Sequence, residues 1–228
     1  MMRLLIALLA AAVVLSAAAR DYTQEELERW FASDDPAPPE LSTAHVNEGD
    51  LVFLTRAPQK AVHHHRSALT IMRASLTDGW VRMQQCHTNL DRVARAQIVF
   101  RQDRIRDLHI DTWDNIENAW VEGASVQLTN IQTDARLCLS AWTRALFNNE
   151  DGTYTLYNGP FMRKFLDGYY PMRVSMDVDF ADTDLQLLYV SPQEQEGFQV
   201  STVGSKVSFD AWFEGRLKTE FHFSKGPL

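Results

Sequence analysis

In Val62-His63-His64-His65-Arg66, an extended backbone would send His63 and His65 to one face and His64 to the other, because successive strand side chains alternate. Two imidazoles on one face form a common pair of metal ligands. His87 or His109 would supply a third nitrogen if other strands bring either close, and copper or zinc suits a nitrogen-rich set of this kind. The bland reading is an exposed strand edge or loop without an ion, since no second His-rich motif completes a ligand set. A further reading makes the imidazoles pH-responsive, because they titrate at about 6.5 when unperturbed.

Cys86 and Cys138 are the two cysteines of the chain. An even count in an exported protein favours one bridge, and a loop of this length would stabilise by roughly 4 kcal/mol in the chain-entropy model. The rival is a metal-binding or reactive thiol at Cys86, beside His87. If Cys86 is bridged, His87 points to the other side of its strand, and the adjacent pair diverges too far for a shared acid-base role. No catalytic residue is assigned: the chain has no G-x-S-x-G elbow, H-E-x-x-H helix or phosphate-cradling Gly-rich loop.

Asp177, Asp179 and Asp182 gather near one strand end, but a calcium ion needs about six to eight oxygens, and a wet sheet face explains their spacing. Among the aromatics, Phe161, Phe165, Trp113, Trp120, Trp142 and Trp212 are mostly assigned to the core. Tyr169 and Tyr170, flanked by Gly168 and Pro171, are expected to be exposed and available for binding.

The elements that must carry these residues are mainly strands. From about Gly49 onward apolar residues recur at every second position, as in Leu51 and Phe53, Val81 and Met83, Ile98 and Phe100, and Leu137 and Leu139. The clearest case is Arg173-Val174-Ser175-Met176-Asp177-Val178-Asp179-Phe180, which requires one buried and one wet face. Asp78-Gly79, Glu122-Gly123, Asp151-Gly152 and Gly204-Ser205 mark turns, and Glu214-Gly215 is expected to close a hairpin of the last two long strands. The breaker-bounded stretch 158–171, with one or two helical turns in its middle, is expected to link two β regions.

Ahead of the strands, Thr23-Gln24-Glu25-Glu26 has capping-box spacing, and Leu27, Trp30 and Phe31 follow on one helical face. Pro36, Pro38 and Pro39 then make a stiff linker. Residues 1–19 combine Arg3, an apolar run and Ala17-Ala18-Ala19, the layout of a secretory signal peptide, with a middle too short to span a bilayer. The expected organisation is therefore a signal peptide at 1–19, a helix and Pro-rich linker at 20–45, and β-sandwich units at 46–148 and 149–228. The fold class is all-β: two sandwich-like, immunoglobulin-like antiparallel units with a short N-terminal helix.

A formal net charge of −8 spread along the chain argues against nucleic acid, which needs clustered Lys and Arg. The group Arg92, Arg95, Arg101, Arg104 and Arg106 is interrupted by Asp91, Asp103 and Asp107. No apolar stretch after the signal reaches spanning length, so no transmembrane anchor is expected after cleavage.

Together, V-H-H-H-R at 62–66, D-G-W-V-R-M-Q-Q-C-H at 78–87, A-R-L-C-L at 135–139 and F-L-D-G-Y-Y-P-M at 165–172 resemble an uncharacterised exported proteobacterial family. The resemblance implies lineage and export, and it carries over no site residue. The expected function is a non-enzymatic periplasmic or secreted module for binding or assembly in the bacterial cell envelope, with a protein partner and no cofactor. The alternative is a periplasmic copper- or zinc-binding accessory protein using His63 and His65 with His87 or His109.

Overall fold

The computed structural model describes Glu25 and residues 47–165 and 168–226. The expected signal segment and, apart from the helical Glu25, the N-terminal helix and linker lie outside the described residues. The chain divides into compact units at Met1–His45 and Val46–Leu228, and the second is described here. No helix among the described residues is long and apolar enough to cross a membrane.

The second unit is all-β and sandwich-like. Fifteen strands run from β1 (Val52–Leu54) to β15 (Leu217–Lys225), interrupted by a single α-helical turn, α1 (Ser75–Asp78). The larger sheet contains β2 (His64–Thr70), β3 (Trp80–Thr88), β4 (Arg95–Val99), β5 (Ile105–Glu122), β6 (Ser125–Arg144), β11 (Met172–Asp179), β13 (Val200–Val203) and β14 (Lys206–Glu214) as well as β1. Its main order is β1-β14-β11-β2-β3-β6-β4, with β13 also on β14 and β5 also on β6. The smaller sheet is β12-β15-β8-β7, from β7 (Leu146–Asn148), β8 (Thr153–Phe161), β12 (Leu185–Ser191) and β15. A separate two-stranded ladder joins β9 (Arg163–Phe165) to β10 (Gly168–Tyr170).

The expected division at 148/149 does not hold. β2 lies parallel to β11, with His64 opposite Arg173, and β7 pairs with β8, so both stretches supply both sheets of one unit. Parallel neighbours need a long crossover, and here it includes the other sheet. Nor does 158–171 hold a helix among its described residues: it completes β8, forms β9 and β10, and passes from one sheet to the other.

Side-chain alternation places the core between the layers. Val174, Met176 and Val178 of β11 are at most 1 % exposed, while Arg173, Ser175, Asp177 and Asp179 face outward. Phe209 of β14 meets Phe221 of β15 at 6.3 Å between ring centroids, and Phe180 meets Phe223 at 5.2 Å. A second cluster, including Ile116, Val126, Leu128, Ile131, Leu137 and Leu139, lies along β5 and β6. These strands run for 18 and 20 residues because Asn115, Asn130 and Asp134 take left-handed backbone conformations within a bulged ladder. Asn and Asp tolerate that region, so these residues act as bends within continuous strands.

Glu214-Gly215 does not close a hairpin. β14 pairs with β11, β1 and β13, whereas β15 pairs with β8 and β12, so the turn carries the chain from one sheet to the other. Gly215 has φ +86°, and a Cβ there would lie 2.0 Å from the Asp50 carbonyl oxygen. Gly215→Ala should therefore cost about 1–3 kcal/mol of unfolding free energy; an unchanged urea midpoint would show that the arch relaxes without cost.

Candidate functional site

Antiparallel pairing of β2 with β3 sets His65 opposite His87, and parallel pairing with β11 sets His65 beside Val174. Alternation then sends His65 and His87 inward, where they are 7 % and 4 % exposed. His63, just before β2, stacks on His87 with ring centroids 5.1 Å apart, and His65 meets His87 edge-on at 4.8 Å. His63 Nε2 and His87 Nδ1 are hydrogen-bonded at 2.9 Å, and the Gln85 side-chain amide holds His87 Nε2 at 2.6 Å. His65 abuts the Phe161 ring at 4.7 Å, and its buried Nε2 has no hydrogen-bond partner.

This environment keeps all three rings neutral near pH 7. Burial pushes His63 down to about 4, although the Asp91 carboxylate opposes the shift. Asp91 is itself clamped by Arg163 through contacts of 3.0 and 2.6 Å. Burial takes His65 down to about 3 and His87 well below the ordinary imidazole range, and the neighbouring histidines push each further down.

Of the two candidates for a third nitrogen, His87 meets His63 and His65, while His109 is exposed on β5 opposite Ser140. Among the described residues, no group of three or more His, Cys, Asp or Glu side chains is arranged to hold a metal ion. The facing nitrogens of His63 and His87 share a hydrogen bond instead of converging on a common centre. Cys86 and Cys138 are directly opposed on β3 and β6 and joined as a disulfide, with Cα atoms 4.1 Å apart. No free thiol remains among the described residues. Such a bridge persists in an oxidising compartment.

The expected exposed tyrosine pair is corrected. Tyr169 is 6 % exposed, its hydroxyl accepts a 2.7 Å hydrogen bond from Arg216 Nε, and Lys164 and Arg216 lie over its ring. Tyr170 is half-buried and packs edge-on against Phe165. A backbone bond from Tyr169 N–H to the Asn47 carbonyl ties this short ladder to the start of the unit. Conversely, Trp113 and Trp120, expected in the core, are 47 % and 45 % exposed on β5.

The outer face of the large sheet carries a polar network that the sequence reading did not single out. His64 Nε2 and Ser175 Oγ are 2.7 Å apart, Ser175 donates to Asp210 at 3.1 Å, and Arg173 Nε donates to Asp210 at 2.8 Å while lying over Trp212. His64, Arg173, Ser175 and Asp210 border a groove of about 480 Å³. A Ser-His contact alone does not make an acyl-transfer site. Asp210 engages serine and arginine, and β2, β11 and β14 each have strand neighbours on both sides.

What could engage a partner is the edge of β5. Along its 18 residues β5 pairs with β6 and with no other described strand. Among the described residues, one row of its main-chain donors and acceptors has no strand partner, and Trp113 and Trp120 stand exposed beside it.

No family model matches the chain, and no curated protein matches it. Among solved structures it is similar to a mutant two-domain M1 zinc metallopeptidase bound to L-tryptophan, at 11% identity and a TM-score of 0.33. The match covers 78% of this chain and 44% of that one, and likeness at this level carries no argument about function.

Proposed function

We propose that this protein is a non-enzymatic, periplasmic or secreted binding module of the bacterial cell envelope that takes up an extended partner segment along β5. The one-sided pairing of β5 carries this reading: 18 residues of strand meet a neighbour only at β6 among the described strands. An added strand gains main-chain hydrogen bonds, and flanking aromatics add contact area without demanding one sequence. The copper- or zinc-binding alternative has the three gathered imidazoles in its favour and the His63–His87 hydrogen bond against it.

A photo-crosslinking phenylalanine derivative at Trp120, in cells exporting the full chain, should give one discrete adduct with an envelope protein. The same group at Val203, 75 % exposed on β13, should not give that adduct. No adduct at Trp120, or the same adducts from both positions, would reject β5 as the docking edge.

A further inference from the structure

Five carboxylates, Asp107, Asp111, Asp114, Glu117 and Glu122, occupy exposed positions along β5. The single guanidinium of the strand, Arg106, lies over Trp80 at 4.4 Å and Trp142 at 5.5 Å. Among the described residues none of the five carboxylates forms an ion pair; the pairs that do form lie on other elements. Ser140 donates to Asp111 and Asn130 donates to Glu117, contacts that hold these groups without neutralising them.

The same strand divides by regularity. Register shifts at Arg106/His109, Ile110/Thr112 and Asp114/Ile116 break its first part, whereas Ile116–Glu122 runs in step with Ile131–Ser125 to the two-residue turn at Gly123-Ala124. Residues flanking such a turn exchange hydrogen bonds, so Glu122 faces β6. Counting back by twos, Trp120, Asn118 and Ile116 also face β6, so the intervening Glu117, Ala119 and Val121 direct their N–H and C=O groups to the open side.

Resting on the reading of β5 as a docking edge, we infer that the segment it accepts is basic: an extended peptide of a partner protein carrying Lys or Arg, paired along Ile116–Glu122, where Glu117 and Glu122 stand on opposite faces of the strand. Opposite charges on facing strands attract and like charges repel. A second copy of this chain pairing edge to edge would set carboxylates against carboxylates, so charge complementarity favours a foreign basic strand. Charged side chains can also serve only to guard an open edge against aggregation, and binding measurements separate the two roles.

The probes are fluorescently labelled ten-residue peptides of alternating Val and Lys or alternating Val and Glu, titrated by anisotropy against the full mature chain. The Val/Lys peptide should bind at least about tenfold more tightly and weaken as salt rises. Glu117→Lys with Glu122→Lys should lower its affinity about tenfold and favour the acidic peptide, and Ala119→Pro should lower it similarly by removing an open-side donor. If that variant misfolds, N-methylation of alternate peptide amides tests the same bonds without altering the protein. Equal binding of both peptides, or indifference to charge reversal, would overturn the basic-segment inference while an envelope adduct at Trp120 left the docking edge standing. Val/Lys binding unaffected by both Ala119→Pro and N-methylation would reject strand pairing, and an adduct with a second copy would overturn the foreign-partner assignment. No peptide binding together with no adduct would remove both readings.

Discussion

Lowering the pH from 7 to 5 should cost this domain roughly 4–6 kcal/mol of unfolding free energy. His63, held at about 4, and His65, held at about 3, bind almost no proton in the folded state over that range, and burial shifts His87 the same way. In the unfolded chain each titrates at about 6.5. Acid therefore draws protons to the unfolded state. The stabilisation is complete above pH 6.5 and is lost progressively as pH falls toward the folded-state values.

At pH 5 His63 and His65 each contribute a loss of about 2 kcal/mol, and His87 adds to it in the same direction. Because a domain is stable by only about 5–15 kcal/mol, acid alone should bring it close to unfolding. Urea titrations at pH 7.5, 6.5, 5.5 and 5 measure this directly. His65→Leu, which also removes the unpartnered Nε2, should reduce the pH slope by about a third. A constant unfolding free energy between pH 7 and 5 would show that the cluster is not held neutral.

Removing the disulfide should have the next largest effect. Cys86 and Cys138 close a loop with a sequence separation of 52, which corresponds to about 4 kcal/mol of lost unfolded-state freedom. The bridge joins adjacent strands on the outer face, directly behind the inward His87. A Cys86→Ala, Cys138→Ala variant should therefore keep its fold near neutral pH with a much lower urea midpoint. It should unfold at a higher pH than the parent, because the acid penalty then acts on a smaller reserve. A loss below about 1 kcal/mol would show that the bridge constrains a part of the chain already ordered when unfolded.

The sequence by itself determined which way side chains point within a strand. His63 and His65 face one way and His64 the other, His87 turns away from the bridged Cys86, and Val174, Met176 and Val178 are buried between wet neighbours. These directions follow from the two-residue period of extended backbone, which is local. The pairing of the two cysteines was legible from their number and the expected export.

Only the tertiary structure decided which strands are neighbours. His87 reaches His63 and His65 because β3 pairs with β2 in one register, while His109 is left on an exposed part of β5. Tyr169 is buried because Arg216 comes from the β14–β15 turn to meet its hydroxyl. That turn reads as a hairpin in sequence because both strands alternate cleanly, yet it crosses between sheets. The open edge of β5 was hidden for the same reason. Alternation records that one face of a strand is buried, whereas its neighbours are selected by packing and loop closure over the whole unit, so a vacant edge leaves no periodic mark in the chain.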